Sequence, residues 1–113
     1  MVATAVGLNT SINEFVEHLK AGLRLEAVIL YGSHARGSAH EWSDIDLAVI
    51  SPDFENTALP KRQRAMANLT LDTDPLIAPL GYPSSEYHNP DPHSFLGEII
   101  RTGRVVYQAE PAA

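Results

Sequence analysis

Residues 27–50 read AVILYGSHARGSAHEWSDIDLAVI, and this stretch decides the fold. It begins with a short apolar run, residues 27–31, whose length and β-branched content predict a buried strand. A second apolar run, residues 45–50, predicts another strand, which the turn-forming residues 51–53 end. Residues 32–43 are polar and punctuated by glycine, so they predict a turn with a short helix. The two strands are therefore joined by a polar connection.

Three helices are predicted outside this stretch. Residues 11–23 carry apolar side chains at helical spacing, and Ser11 with Glu14 has the spacing of a capping box. Residues 57–69 form a weaker helical pattern. Residues 94–102 predict a last helix before a glycine.

Residues 71–80 look extended, although they contain Pro75 and Pro79. A proline cannot donate a hydrogen bond to a strand neighbour, and two prolines four residues apart affect the same edge. The run therefore predicts an edge strand, and residues 105–107 predict a short final strand. The predicted fold class is α/β (α+β), with a short mixed sheet flanked by helices.

Composition places limits on domain number and partners. The 113 residues fit a single domain, residues 1–113, and 44% apolar with 19% charged residues is a globular mixture. There is no cysteine, which excludes thiolate chemistry. No signal peptide or membrane span is recognised, so we expect a cytoplasmic protein without a membrane partner. The net charge of −6 argues against stable nucleic-acid binding.

The chemistry-bearing residues surround the polar connection. Asp44 and Asp46 are two residues apart at the start of a strand, so their side chains should share one face, with Cα atoms about 6.5–7 Å apart. Such a pair can bind Mg²⁺ together with substrate phosphates. Gly32 and Ser33 form a tight turn after a strand, where backbone N–H groups and the hydroxyl can bind an anion.

These residues resemble the signature of the polymerase-β-type nucleotidyltransferase superfamily: Gly-Ser, ten residues, then Asp-x-Asp. The resemblance is closest to the minimal nucleotidyltransferases, whose C-terminal segment is similar to residues 95–107. It implies a small nucleotidyltransferase-type fold, two Mg²⁺ ions and ATP as co-substrate. Gly32 and Ser33 are expected to bind the triphosphate. Arg36 is the third candidate nucleotide-binding residue, in contact with the triphosphate or the acceptor, and its alternative is a solvated surface charge.

The resemblance further implies a third carboxylate on a later strand, as a metal ligand and base. Asp74 is our choice, beside Asp44 and Asp46 as catalytic and metal-binding residues, and Asp72 is the alternative. Two other residues have structural alternatives. Ser33 could cap a helix instead of binding phosphate. Trp42 is interpreted as a packing residue rather than a base-stacking platform.

The resemblance also implies a partner. Minimal nucleotidyltransferases are commonly paired with a helical HEPN toxin, so the hypothesis is an antitoxin that transfers AMP from a nucleoside triphosphate to that toxin. One alternative is a module that neutralises a toxin by contact alone. The other is a nucleotidyltransferase acting on a small molecule such as an aminoglycoside.

Overall fold

The computed structural model describes residues 5–110. These residues form four strands, five α-helices and one 3-10 turn, Pro52–Phe54, which follows the second strand. In chain order they are α1 (Ala5–Lys20), β1 (Ala27–Tyr31), α2 (Ser33–Arg36), β2 (Ile45–Ser51), α3 (Leu59–Leu69), β3 (Ile77–Pro83), α4 (Ser84–His88), α5 (Phe95–Thr102) and β4 (Arg104–Gln108).

The strands form one mixed sheet in the order β3-β2-β1-β4. β1 is antiparallel to both β2 and β4, and β2 is parallel to β3. The mixed sheet and the α/β class are as predicted. β3 lies at an edge, as predicted from its prolines, because Pro79 pairs with Leu47 on one side and leaves the other side unpaired.

Helices cover both faces of the sheet, because the side chains of β1 and β2 alternate between two apolar layers. One layer joins α1 and α3 to the odd-numbered positions of β2 and includes Phe15, Leu47 and Met66. The other layer joins α5 to the even-numbered positions of β2 and the odd-numbered positions of β1. It includes Ile99 of α5, Ala48 of β2 and Ile29 of β1. We call these two sides of the sheet the α1 face and the α5 face.

The element boundaries differ most from prediction at α1 and β3. α1 begins at least six residues before residue 11 and ends at Lys20 rather than at residue 23. β3 begins at Ile77, so the prediction of extended chain over residues 71–76 is wrong. Residues 81–83 complete β3, and residues 84–88 form the short helix α4, which is not among the predicted elements.

The late start of β3 has a local cause. Thr73 donates its N–H and its hydroxyl to the Thr70 carbonyl, and Asp74 Oδ1 accepts the Leu76 N–H. These bonds close a turn over residues that would otherwise extend the strand. Within residues 5–110, no helix has the length and apolar character needed to cross a membrane.

Candidate active site

The end of β1 lies beside the beginning of β2. Tyr31 pairs with Asp46 in the antiparallel register, so the turn that follows Tyr31 starts next to that carboxylate. Asp46 is an even-numbered position of β2, and its side chain therefore points to the α5 face with Ala48. Asp44 precedes the strand by one residue and is exposed.

Gly32 allows the backbone to pass close to Asp46. Its φ of 74° and ψ of −152° lie in a region that only glycine adopts readily. A Cβ atom at residue 32 would overlap Asp46 Oδ2. The glycine is therefore needed for its conformation and also for the space that the Asp46 carboxylate occupies.

Ser33 is the first residue of α2, and Gly32 is the capping residue before it. Because Gly32 holds the capping position, the alternative in which Ser33 caps the helix is wrong. Within residues 5–110 the Ser33 hydroxyl has no hydrogen-bond partner. The first N–H groups of a helix have no acceptor inside it, so they and the hydroxyl are available to an anion.

A cavity of about 520 Å³ lies over this turn, a volume usual for a small-molecule site. It brings together five of the six predicted site residues: Gly32, Ser33, Arg36, Asp44 and Asp46. The remaining lining residues come from the end of β1, from the connection between α2 and β2, and from α5: Tyr31, Ser38, His40, Ser43, Phe95, Glu98, Ile99 and Thr102.

Electrostatics within the cavity favour a bound cation. Partial burial raises the pKa of Asp46, the neighbouring Asp44 raises it further, and His34 and Arg36 oppose this effect. The ionised form of Asp46 is thus disfavoured in the protein alone. Burial, assisted by the Asp46 charge, also raises the pKa of Tyr31 to about 12. Tyr31 therefore stays a neutral hydroxyl near neutral pH.

Asp74 is not brought to the cavity. It lies in the turn before β3, and its Oδ2 accepts a hydrogen bond of 2.7 Å from Ser11 Oγ on α1. This contact holds Asp74 to the α1 face, whereas Asp46 points to the α5 face. The alternative, Asp72, is an exposed residue of the same turn. The role of either residue as third carboxylate stays a prediction, and the geometry of the cavity does not support it.

The donor set fits a metal that is shared with a ligand. Within residues 5–110 no group of three His, Cys, Asp or Glu side chains is placed to hold an ion. Asp44 and Asp46 provide two carboxylates, and partial burial together with the neighbouring Asp44 raises the pKa of Asp46. Mg²⁺ is usually bound by one or two carboxylates plus substrate phosphates, so this pair fits a nucleotide-bound Mg²⁺.

Sequence analysis missed the contribution of α5. Phe95 is 53% exposed, and its ring meets the Tyr31 ring edge-on at 5.6 Å between centroids. The spacing of Phe95, Glu98, Ile99 and Thr102 places them on one helix face, a signal that was present in the sequence. What the sequence does not contain is the packing of that face over β1.

Trp42 is also placed differently from prediction. The interpretation as a packing residue is wrong, because 72% of Trp42 is exposed. It lies in the turn directly before Ser43 and Asp44, which line the cavity. Its exposure leaves the indole available to a ligand or partner.

Comparison with known proteins identifies the chain. Residues 11–79 match the nucleotidyltransferase domain family. The chain belongs to this family. The match runs from within α1 to within β3, and therefore includes Gly32, Ser33, Asp44 and Asp46. The resemblance noted from those residues is confirmed, and the protein is a nucleotidyltransferase.

Two relatives of this nucleotidyltransferase come from Methanocaldococcus jannaschii, both named as candidate protein adenylyltransferases. It is 45% identical to MJ1305 over 58 residues, which is 50% of this chain and 36% of that protein. It is 30% identical to MJ0604 over 105 residues, which is 86% of this chain and 95% of that protein. The chain thus spans about a third of the first relative and nearly all of the second.

Solved structures share the fold. A candidate nucleotidyltransferase from Sulfolobus solfataricus has a TM-score of 0.71 at 16% identity, covering 91% of this chain and 82% of that chain. A toxin–antitoxin complex with AMP-PNP has a TM-score of 0.54 at 22% identity, covering 90% and 74%. The toxin–antitoxin pair MntA-HpeT, in a variant with two aspartates replaced by glutamates, has a TM-score of 0.52 at 21% identity, covering 87% and 73%.

Proposed function

We propose that this nucleotidyltransferase transfers AMP from ATP to a hydroxyl group of a protein, in a reaction that depends on Mg²⁺. We further propose that it is an antitoxin and that the acceptor is a HEPN toxin. One observation carries the proposal: the Asp46 carboxylate lies against the Gly32 backbone at a cavity that Ser33 and Arg36 also line. Carboxylates for a cation and donors for phosphates are thus side by side.

The α2 side of the cavity binds the triphosphate in this proposal. Ser33 offers its hydroxyl and backbone N–H, and Arg36 offers a guanidinium whose planar donors match phosphate oxygens. Both residues belong to the same short helix, so their spacing is fixed by its geometry. This side positions the α-phosphorus and neutralises part of the triphosphate charge.

Asp44 and Asp46 would hold the metal. A bound Mg²⁺ neutralises the phosphates and supports the charge that develops on the leaving pyrophosphate. The two carboxylates orient the triphosphate relative to the α2 side. The raised pKa of Asp46 is consistent with this role, since a cation restores the ionised form that burial and Asp44 disfavour.

A protein acceptor is supported by the relatives. Both M. jannaschii proteins are named for adenylyl transfer to protein, and two structures of similar fold are toxin–antitoxin complexes. The exposed Trp42 beside the cavity gives a protein partner a large apolar contact. The same exposure favours a second candidate function, an antitoxin that neutralises its partner by contact alone.

The test is purification together with the product of the neighbouring gene, followed by intact-mass measurement with ATP and Mg²⁺. The proposal expects the partner to gain the mass of one or more AMP units, and to gain none when a chelator removes the metal. A matched reaction with Ser33→Ala should transfer more slowly, because a hydrogen bond to a charged phosphate contributes about 1.5–3 kcal/mol. A stable complex without any mass gain would support the contact-only function.

A further inference from the structure

Helix α5 lines the same cavity as α2 and the two aspartates. Phe95, Glu98, Ile99 and Thr102 recur at spacings of three and four residues, and all four line the cavity. Phe95, one turn before Glu98, contacts Tyr31. Ile99, directly after Glu98, is buried against Ile29 and Ala48. These contacts on both sides of Glu98 fix how α5 lies on the sheet.

The start of α5 is held in place as well. Ser94 caps the helix, with its hydroxyl oxygen accepting the Gly97 N–H at 3.0 Å. Arg101 donates to the Pro92 carbonyl at 2.9 Å. Gly97 lies so close to the Asp91 carbonyl that a Cβ would overlap it. Glu98 is therefore carried by a helix of fixed position, although its own side chain is exposed.

Glu98 is the third carboxylate residue of the cavity. Its backbone carbonyl accepts a hydrogen bond from Thr102, whereas its carboxylate has no hydrogen bond or ion pair within residues 5–110. Strand β3 cannot supply a third carboxylate at the corresponding place, because the residue paired with Asp46 is Ala78. Asp74 is held on the other face by Ser11.

We propose that Glu98 is a catalytic residue, the base that accepts the proton of the attacking hydroxyl group; this rests on the proposed function. The acceptor oxygen forms a bond to the α-phosphorus of ATP, and the bond from that phosphorus to the pyrophosphate oxygen breaks. The hydroxyl proton passes to a Glu98 carboxylate oxygen, and pyrophosphate leaves. The AMP unit ends on the acceptor as a phosphodiester.

This assignment divides the cavity by substrate. The α2 side, with Ser33 and Arg36, takes the triphosphate, and the α5 side takes the acceptor. Phe95, exposed one turn before Glu98, gives the acceptor segment an aromatic surface directly beside the base. The acceptor that fits is a hydroxyl group, which in a protein belongs to Tyr, Ser or Thr. It lies on an exposed segment of the partner, because Phe95 and Glu98 are reached from solvent.

The test uses the full chain with its partner and compares Glu98→Gln with Asp74→Asn and with Glu14→Gln. Glu14 is an exposed glutamate of α1, on the other face, and serves as the matched control. The measurements are the single-turnover rate of AMP transfer by intact mass over a range of pH, and the affinity for ATP with Mg²⁺ by calorimetry. Melting temperature shows whether each variant folds.

We expect Glu98→Gln to lose about 10²–10⁴-fold in rate, the usual contribution of a general base. Its rate should no longer fall at acidic pH, because the variant has no base at this position to be protonated. Its affinity for ATP should equal that of the wild type. Glu98→Asp should recover part of the rate. Glu14→Gln should transfer at the wild-type rate, and Asp74→Asn should lose much less rate than Glu98→Gln.

Three outcomes would overturn the assignment. Glu98→Gln could transfer as fast as Glu14→Gln, in which case Glu98 is not the base although the proposed function stands. Asp74→Asn could lose the rate instead, which would return the role to Asp74. Glu98→Gln could lose ATP affinity in proportion to rate, which would make Glu98 a nucleotide-binding residue. Absence of AMP transfer by the wild type would overturn the proposed function together with this inference.

Discussion

Gly32 and Asp46 depend on each other at the residue scale. The turn conformation excludes a side chain at residue 32, and the space that a Cβ would fill is taken by the Asp46 carboxylate. A change at one residue therefore displaces the other. The same glycine therefore forms the turn and lines the candidate site.

Gly32→Ala should weaken both folding and nucleotide binding. We expect a loss of about 1–3 kcal/mol in the free energy of unfolding from the backbone conformation alone. ATP binding with Mg²⁺ should also fall, because the Asp46 carboxylate is displaced. Denaturant unfolding and calorimetry measure the two effects.

Gly37→Ala is the matched control for this prediction. Gly37 also has a positive φ, of 76°, but a Cβ there would meet nothing within 4 Å. It should cost about 1–2 kcal/mol of stability and leave ATP affinity unchanged. Equal ATP affinities for the two variants would show that the Gly32–Asp46 contact has no role in binding.

Asp46→Asn should stabilise the metal-free protein near neutral pH. The pKa of Asp46 is raised in the folded state, so its ionised form lowers stability above that pKa. When the pH falls below the pKa that Asp46 has in the folded state, Asp46 takes up a proton and the wild type regains the lost free energy of unfolding. The melting temperature of Asp46→Asn should therefore exceed that of wild type near neutral pH, and the difference should shrink in acid. A mutant that melts lower than wild type near neutral pH contradicts the pKa direction.

At the scale of elements, continuous apolar runs were predicted well and local turns were not. The predicted bounds of β1 are those observed, and β2 is one residue longer than predicted, because its apolar run is bounded by turn residues. β3 was placed too early since the turn before it is closed by hydrogen bonds from Thr73 and to Asp74, which periodicity does not reveal. The single-turn helix α4 is too short to show a period.

The same reasoning applies to the candidate site. Gly32, Ser33, Arg36, Asp44 and Asp46 lie within one short stretch, so their spacing alone predicts that they meet. Glu98 is more than fifty residues away in sequence and reaches the cavity only because α5 packs over β1. The choice of Asp74 rests on its place in the predicted edge strand, residues 71–80, but a hydrogen bond to α1 decides its position.

The Ser11–Asp74 hydrogen bond should contribute to stability by joining α1 to the turn before β3. Ser11→Ala should lower the free energy of unfolding by about 0.5–3 kcal/mol, the range for a bond to neutral or charged groups. Asp74→Ala should cost at least as much, because it also removes the acceptor of the Leu76 N–H, and the double variant should cost less than the sum. Denaturant unfolding of the four proteins measures the coupling, and strict additivity would show that the bond contributes nothing.

At the scale of the whole molecule, the proposed catalysis and the proposed partner contact use different parts of the surface. Asp46 lines the cavity beside Gly32, whereas Trp42 is exposed and is not among the residues that line the cavity. A variant that affects only the cavity should thus leave the binding surface unchanged. This separation makes the enzyme and the contact-only antitoxin distinguishable.

Asp46→Asn should abolish AMP transfer and neutralisation while leaving the complex with the partner intact. The substitution keeps the size of the side chain and removes the charge that supports the metal. Intact mass measures transfer, growth of cells that express the partner measures neutralisation, and size-exclusion chromatography measures the complex. Growth equal to wild type, without transfer, would favour neutralisation by contact alone.

The order of the strands has a consequence for synthesis of the protein on the ribosome. β1 is among the first elements to be made, but one of its two neighbours, β4, is made after all the other strands. Until residue 108 has left the exit tunnel, one edge of β1 offers unpaired N–H and C=O groups to any other nascent chain. β1 is also fully apolar up to Leu30. Translation pauses before β4 should therefore increase the demand of this protein for chaperones.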